Sequence, residues 1–323
     1  MRTTLLALGA VLLVAILAVA IWLYTPDKPR AELEARWAGP PSSFLDVAGV
    51  RLHLRDTGPR DGPAVLMLHG FGASLHTWED WARGLEDRFR VIRFDFPGFA
   101  LTGPDPSGVY TDARSVEVIA ALMDRLGLPR ASLVGSSMGG RIAWTFAATH
   151  PDRVERLVLL APDGFASPGR AYGQEIRVPA LMRTLPWTLP MPLLRRTAAA
   201  AFGDPSLMTD ELAERYRDML LVPGVRQAIL DRTPQNTLED PAPMLARITA
   251  PTLLVWGALD RMVPVANAAD YQRLMRDTRL VTFPDVGHVP QEEAPARTLK
   301  PVQDFLLEGL VTQAERTGPA TPR

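Results

Sequence analysis

The chain has no cysteine among its 323 residues. That absence excludes disulfides, thiolate nucleophiles and cysteine metal sites, and it leaves redox chemistry silent about compartment. Lysine is nearly missing too, with Lys28 and Lys300 the only two, so arginine carries almost all the positive charge. Histidine is sparse: His53, His69, His76, His150 and His288 stand apart, without HExxH or any other ligand spacing. A metal enzyme is therefore disfavoured, and no cofactor is expected. The formal net charge is −1, which gives no electrostatic footprint for nucleic acid. What remains, 47% hydrophobic and 22% charged, suffices for one large domain with an insertion or for two smaller ones.

The one break in composition is the N-terminus, where residues 3–24 carry no charge. About 20 apolar residues at 1.5 Å each cross a bilayer core of about 30 Å, and Trp22 and Tyr24 lie where an interfacial aromatic belt belongs. A cleaved signal peptide is the competing reading, with Ala18-Val19-Ala20 as its cleavage site. The apolar run continues through that site as Ile21-Trp22-Leu23-Tyr24, which favours an uncleaved, single-pass anchor over 1–24. A core helix is disfavoured because the run has no polar face. A very short N-terminal tail ahead of a large domain favours a periplasmic or external domain, although Lys28, Arg30 and Arg36 oppose that orientation. Residues 25–42 are charged and proline-rich, and read as a linker.

From residue 43 short apolar runs alternate with amphipathic stretches. Strands are expected at 44–54 (a pair turning at Ala48-Gly49), 64–68, 90–94, 131–135, 154–160, 252–256 and 280–283. Helices are expected over 112–126, from Met138, near 265–275 and near 301–310. Runs that are continuously apolar fit strands buried on both faces of a parallel sheet. The alternation predicts an α/β fold, mostly parallel, with helices on both faces. It stops over 164–243, which is rich in proline and in Leu, Met and Trp and has helical spacing near 210–221. That interruption predicts an inserted helical cap between core segments 43–163 and 244–313, and the tail 314–323 lacks periodicity and reads as disordered.

Gly135-Ser136-Ser137-Met138-Gly139 fits G-x-S-x-G between a strand and a helix. On such a turn the serine sits in strained backbone with its Oγ exposed, and the flanking glycines relieve collisions. Spacing selects Ser137 as nucleophile. A serine hydroxyl needs a base, and His288, in the loop after the last strand, is the candidate. The imidazole needs a carboxylate on its other nitrogen. Asp260 follows the strand ending at Trp256 and is preferred to Asp163, which follows an earlier strand on the same edge. Two N–H groups should hold the oxyanion: Met138 at a helix start, and Phe71 in His69-Gly70-Phe71-Gly72. His69 is expected only to brace that loop, and Trp78 and Trp81 are expected in the core.

These residues, with Asp95-Phe96-Pro97-Gly98 and His150-Pro151-Asp152-Arg153-Val154, stand in the order seen in α/β-hydrolase fold enzymes. The resemblance covers about 43–310. It is similar to bacterial esterases and monoacylglycerol-lipase-like hydrolases with an N-terminal membrane segment. It also resembles meta-cleavage C–C bond hydrolases, whose elbow usually has Asn where Ser136 stands and whose catalytic histidine is usually followed by Trp where Val289 stands. The resemblance implies a membrane-tethered serine ester hydrolase acting on a small-molecule or lipid ester through an acyl-enzyme. Trp187, Leu189 and Met191 of the cap are then expected to line an apolar acyl pocket. The alternatives are C–C bond hydrolysis and a non-catalytic binding protein of the same fold.

Overall fold

The computed structural model describes residues 2–166 and 171–317. Eight strands form one sheet: β1 (Ser42–Val47), β2 (Val50–Thr57), β3 (Ala64–Leu68), β4 (Arg90–Phe94), β5 (Ala131–Ser136), β6 (Val154–Leu160), β7 (Thr252–Gly257) and β8 (Thr278–Phe283), in the order β1-β2-β4-β3-β5-β6-β7-β8. β1 and β2 make the expected hairpin, closing at the Val47↔Val50 pair. Ala48 and Gly49 both take positive φ, 49° and 79°, as a two-residue turn matched to strand twist requires. β2 pairs antiparallel with β4, and the strands from β4 to β8 run parallel.

The period of two in the strands decides what each face buries. Leu66 and Leu68 of β3 join the core under the helices Asp112–Arg125 and Met138–Thr149. Val65 and Met67 join Trp78, Trp81, Leu299, Val302 and Phe305 on the opposite face, beneath the helices Glu79–Leu85 and Pro295–Thr317. Both faces are covered, so the strands read as unbroken apolar runs. Trp78 and Trp81 are fully buried core residues, as expected.

Between β6 and β7 the chain leaves the sheet to form the cap, with helices Met191–Ala199, Asp210–Leu220 and Val225–Gln235. It has small cores of its own, one around Leu189, Leu194 and Leu221, another around Phe202, Met208 and Ala213. The terminal segments differ from expectation. The expected linker is ordered by tertiary contacts: Arg30–Trp37 is a helix, Leu33 is fully buried, and Ser42 already belongs to β1. Lys28 Nζ, Arg36 Nη1 and Trp37 Nε1 all donate to the buried carboxylate of Asp218 in the cap, at 2.8, 3.0 and 2.9 Å. The last helix runs to Thr317, and residues 318–323 of the expected tail lie outside the described residues.

Candidate active site

Ser137 stands at the crossing from β5 to the helix Met138–Thr149, with φ 53° and ψ −117°. Non-glycine residues rarely hold such a conformation unless their surroundings fix it. Here the Ser137 N–H donates to Leu160 O at 2.9 Å, while its carbonyl accepts the N–H groups of Arg141 and Asp163 at 3.0 and 3.1 Å. The flanking glycines are steric necessities. A Cβ on Gly135 would stand 2.4 Å from Gly139 O, and one on Gly139 2.2 Å from Leu68 O. Ser136 points into the protein and is buried.

His288 lies in the loop after β8. Its Nδ1 donates to Asp260 Oδ2 at 2.7 Å, leaving Nε2 as the free acceptor. The other Asp260 oxygen accepts the N–H groups of Met262 and Val263 at 2.8 and 2.9 Å, so the carboxylate is both buried and immobile. Asp163, the rival acid, is engaged elsewhere: its carboxylate stands 3.4 Å from Arg141 Nε. Its carbonyl accepts Tyr271 OH and Trp144 Nε1.

His69 braces the oxyanion loop in a specific way. Its Nε2 accepts the Phe96 N–H at 3.0 Å, so the ring proton is on Nδ1, which donates to Gly70 O at 2.7 Å. Complete burial pushes its pKa down and keeps the ring neutral. In a trans peptide C=O and N–H point opposite ways. Fixing Gly70 C=O therefore fixes the direction of the Phe71 N–H in the same peptide. Gly70 also adjoins the nucleophile, since a Cβ there would stand 3.4 Å from Ser137 Cβ. The Phe71 ring is half exposed and packs edge-on against Phe99. The Met138 side chain is buried in the main core, which leaves only its backbone N–H, at the start of the helix after Ser137, for the expected oxyanion role.

The three cap residues expected in an acyl pocket are only partly brought together: Leu189 and Met191 pack in one cap cluster, and Trp187 stands apart. Leu189 is buried in the cap's own core, and Trp187 projects outward at 62% exposure. Only Met191 reaches the cluster that contains Val289, the neighbour of His288. Spacing cannot reveal this, because one apolar run serves the cap interior, the seam and the outer surface at once. Glu293 was not foreseen either. Its carboxylate accepts the N–H groups of Gly287 and, from the cap, Gly203, both at 2.8 Å. Burial raises its pKa. The His288 N–H in turn donates to Ala201 O of the cap at 2.6 Å. A cavity of about 570 Å³ lies beside the helix Met138–Thr149 and the segment 235–240 that leads out of the cap, lined by Asp112, Arg141, Trp144, Gly164 and Asn236 among others.

A family model described as the alpha/beta hydrolase fold matches residues 63–295, most of the chain. The chain belongs to the α/β-hydrolase fold family. Within that family, this hydrolase is 32% identical over 273 residues to a 2-hydroxy-6-oxononadienedioate/2-hydroxy-6-oxononatrienedioate hydrolase of Comamonas testosteroni, across 81% of this chain and 93% of that one. A solved meta-cleavage product hydrolase from Pseudomonas fluorescens superposes with a TM-score of 0.71 at 26% identity, covering 82% of this chain and 97% of its own. A bacterial membrane phospholipase A superposes with a TM-score of 0.69 at 26% identity, covering 96% of this chain and 99% of its own.

These relatives correct the expectation of an ester hydrolase, because curated proteins similar over four-fifths of the chain are C–C hydrolases. Ser136 and Val289, which depart from the pattern usual in those enzymes, lie at the strand end, where Ser136 is buried, and at the cap seam, where Val289 packs with Phe202 and Met208.

Proposed function

We propose that this hydrolase cleaves a carbon–carbon bond beside a ketone, in a 2-hydroxy-6-oxo-dienoate or a close chemical relative. The observation that carries the reading is 32% identity over 273 residues to a hydrolase of that substrate class, and the His288–Asp260 pair and the strained turn at Ser137 support it. Ser137 Oγ adds to the 6-oxo carbon while His288 Nε2 takes its proton, with Asp260 holding the imidazolium. The carbonyl oxygen becomes an oxyanion facing the N–H groups of Met138 and Phe71. Collapse of this adduct breaks the bond to the neighbouring carbon. The substrate reacts as its 2-keto tautomer, formed when the 2-hydroxyl proton moves to C5. The pair released from the C5–C6 bond is therefore delocalised through the remaining double bond onto the 2-oxygen, His288 returns its proton there, and the 2-hydroxydienoate leaves. Water, deprotonated by His288, then hydrolyses the ester on Ser137.

The helix Arg2–Leu23 is read as an anchor. Its window Leu6–Leu23 has a mean hydropathy of 2.9, and none of it is buried against the rest of the chain. The greater coverage by the membrane phospholipase supports this reading over a soluble form. The test of the reaction is kcat/KM for 2-hydroxy-6-oxononadienedioate against p-nitrophenyl esters. Preference for the dienoate by about four orders of magnitude, the scale on which a site built to hydrogen-bond its substrate's polar groups discriminates, is expected. Preference for the esters overturns the proposal.

A further inference from the structure

We infer that the outer rim of the cap, residues 178–196, is a docking surface for an anionic lipid bilayer, an inference that rests on the anchor reading above. The observation behind it is where the apolar helix ends. Directly after Leu23 the chain runs onto this rim: Tyr24 bridges to Thr188, Thr25 N–H donates to Trp187 O at 2.8 Å, and Leu189 N–H donates to Thr25 Oγ1 at 3.3 Å. The junction is held on its far side as well. Lys28 N–H donates to Leu221 O at 2.9 Å, and Asp27 pairs at 2.6 Å with Arg226, a buried cap residue. The donors to Asp218 described above complete a strap that leaves no free linker between helix and cap. A bilayer around the helix therefore meets the rim at the depth where the helix emerges.

The rim has the composition of an interfacial surface. Leu181, Trp187 and Leu193 are 78%, 62% and 54% exposed, beside the exposed Trp22 and Tyr24 at the end of the helix. Such a cluster of large apolar side chains on a folded domain marks an interaction site. Residues 178–196 contain Arg183, Arg195 and Arg196 and no Asp or Glu. Arg183 and Arg196 are exposed, while Arg195 is paired with Asp210. Apolar and aromatic side chains mixed with uncompensated arginine fit the acyl–headgroup boundary of an anionic leaflet.

The chain contains no cysteine, so single labels can be placed without removing any. Full-length Leu181→Cys and Leu193→Cys, carrying an environment-sensitive fluorophore, are reconstituted in phosphatidylcholine–phosphatidylglycerol vesicles with nitroxide-bearing lipids. Trp22→Cys reports on the anchor, and Asp61→Cys, in the loop entering β3 at the end of the strands opposite Ser137, is the control. Expected are a blue shift and lipid quenching at 181 and 193 comparable to those at 22, with none at 61. Quenching at 22 without quenching at 181 and 193 overturns the docking surface and leaves the anchor standing. No quenching at any position overturns both. Self-quenching at 181 that grows with protein density, without lipid quenching, overturns the lipid assignment in favour of a second copy of this chain. Arg183→Glu with Arg196→Glu is expected to reduce quenching at 181 in anionic vesicles and leave it unchanged in pure phosphatidylcholine. Equal quenching in both vesicle types overturns the charge component.

Discussion

His69 governs the oxyanion loop through a carbonyl rather than by touching the reacting atoms. Replacing it with alanine frees Gly70 O and with it the direction of the Phe71 N–H. The expected result is a fall of about 10²–10³ in kcat, the scale of one lost oxyanion donor, with KM little changed. An equal rise in KM would instead make His69 a part of substrate binding. The two acids are separated by their partners: Asp260 holds the imidazole at 2.7 Å and Asp163 holds Arg141. Asp260→Asn is expected to cost about 10⁴-fold in kcat, and Asp163→Asn far less, in steady-state assays of both variants. Ser137, His288 and Asp260, proposed as nucleophile, base and acid, could each be singled out from sequence because each stands in a local pattern at a strand end, and the structure brings His288 and Asp260 into contact. Glu293 could not be: its partners Gly203 and Gly287 come from the cap and from the histidine loop. No short pattern records that meeting.

Among the elements, the strands were legible because burial on both faces leaves an unbroken apolar signature. The helix Arg30–Trp37 was not. Its eight residues, RAELEARW, are mostly charged, and the contact that orders them is with Asp218, 181 residues further on from Trp37. Asp218→Ala removes the shared acceptor of three donors. Because Lys28 and Arg36 remain partly exposed and regain water, the expected loss is about 1–3 kcal/mol, read as a lower thermal midpoint. An unchanged midpoint would mean that the strap adds no stability. The same segment is tied to the core by His76, whose Nε2 donates to Trp37 O at 3.0 Å while Nδ1 accepts from Ser74. Burial lowers the pKa of His76 to about 4 from the usual 6.5. The unfolded chain therefore binds this proton first. The stability it contributes is complete above pH 6.5 and is lost as the pH falls through about 4, on the order of 3 kcal/mol in all. His69, also held neutral by burial, adds to the same acid limb. Urea midpoints measured across this window should fall more steeply for the wild type than for His76→Gln.

For the whole molecule, the alternation of strand and helix and the interruption at 164–243 were enough to place the fold and its cap. The class of bond cleaved was not legible. Triad and oxyanion hole serve any acyl transfer, and discrimination between an ester and a ketone lies in the pocket walls, which the cap builds from residues distant in sequence. Trp187 illustrates the difficulty: an apolar cap residue suggests a pocket, yet the fold turns it outward beside the end of the apolar N-terminal helix. The most direct measurement is product analysis of 2-hydroxy-6-oxononadienedioate after incubation with the wild type and with Ser137→Ala. The expected products are a four-carbon diacid and a five-carbon 2-hydroxydienoate, formed by the wild type and not by the variant. Recovery of the intact dienoate from the wild type, under conditions where it hydrolyses simple esters, would contradict carbon–carbon bond cleavage.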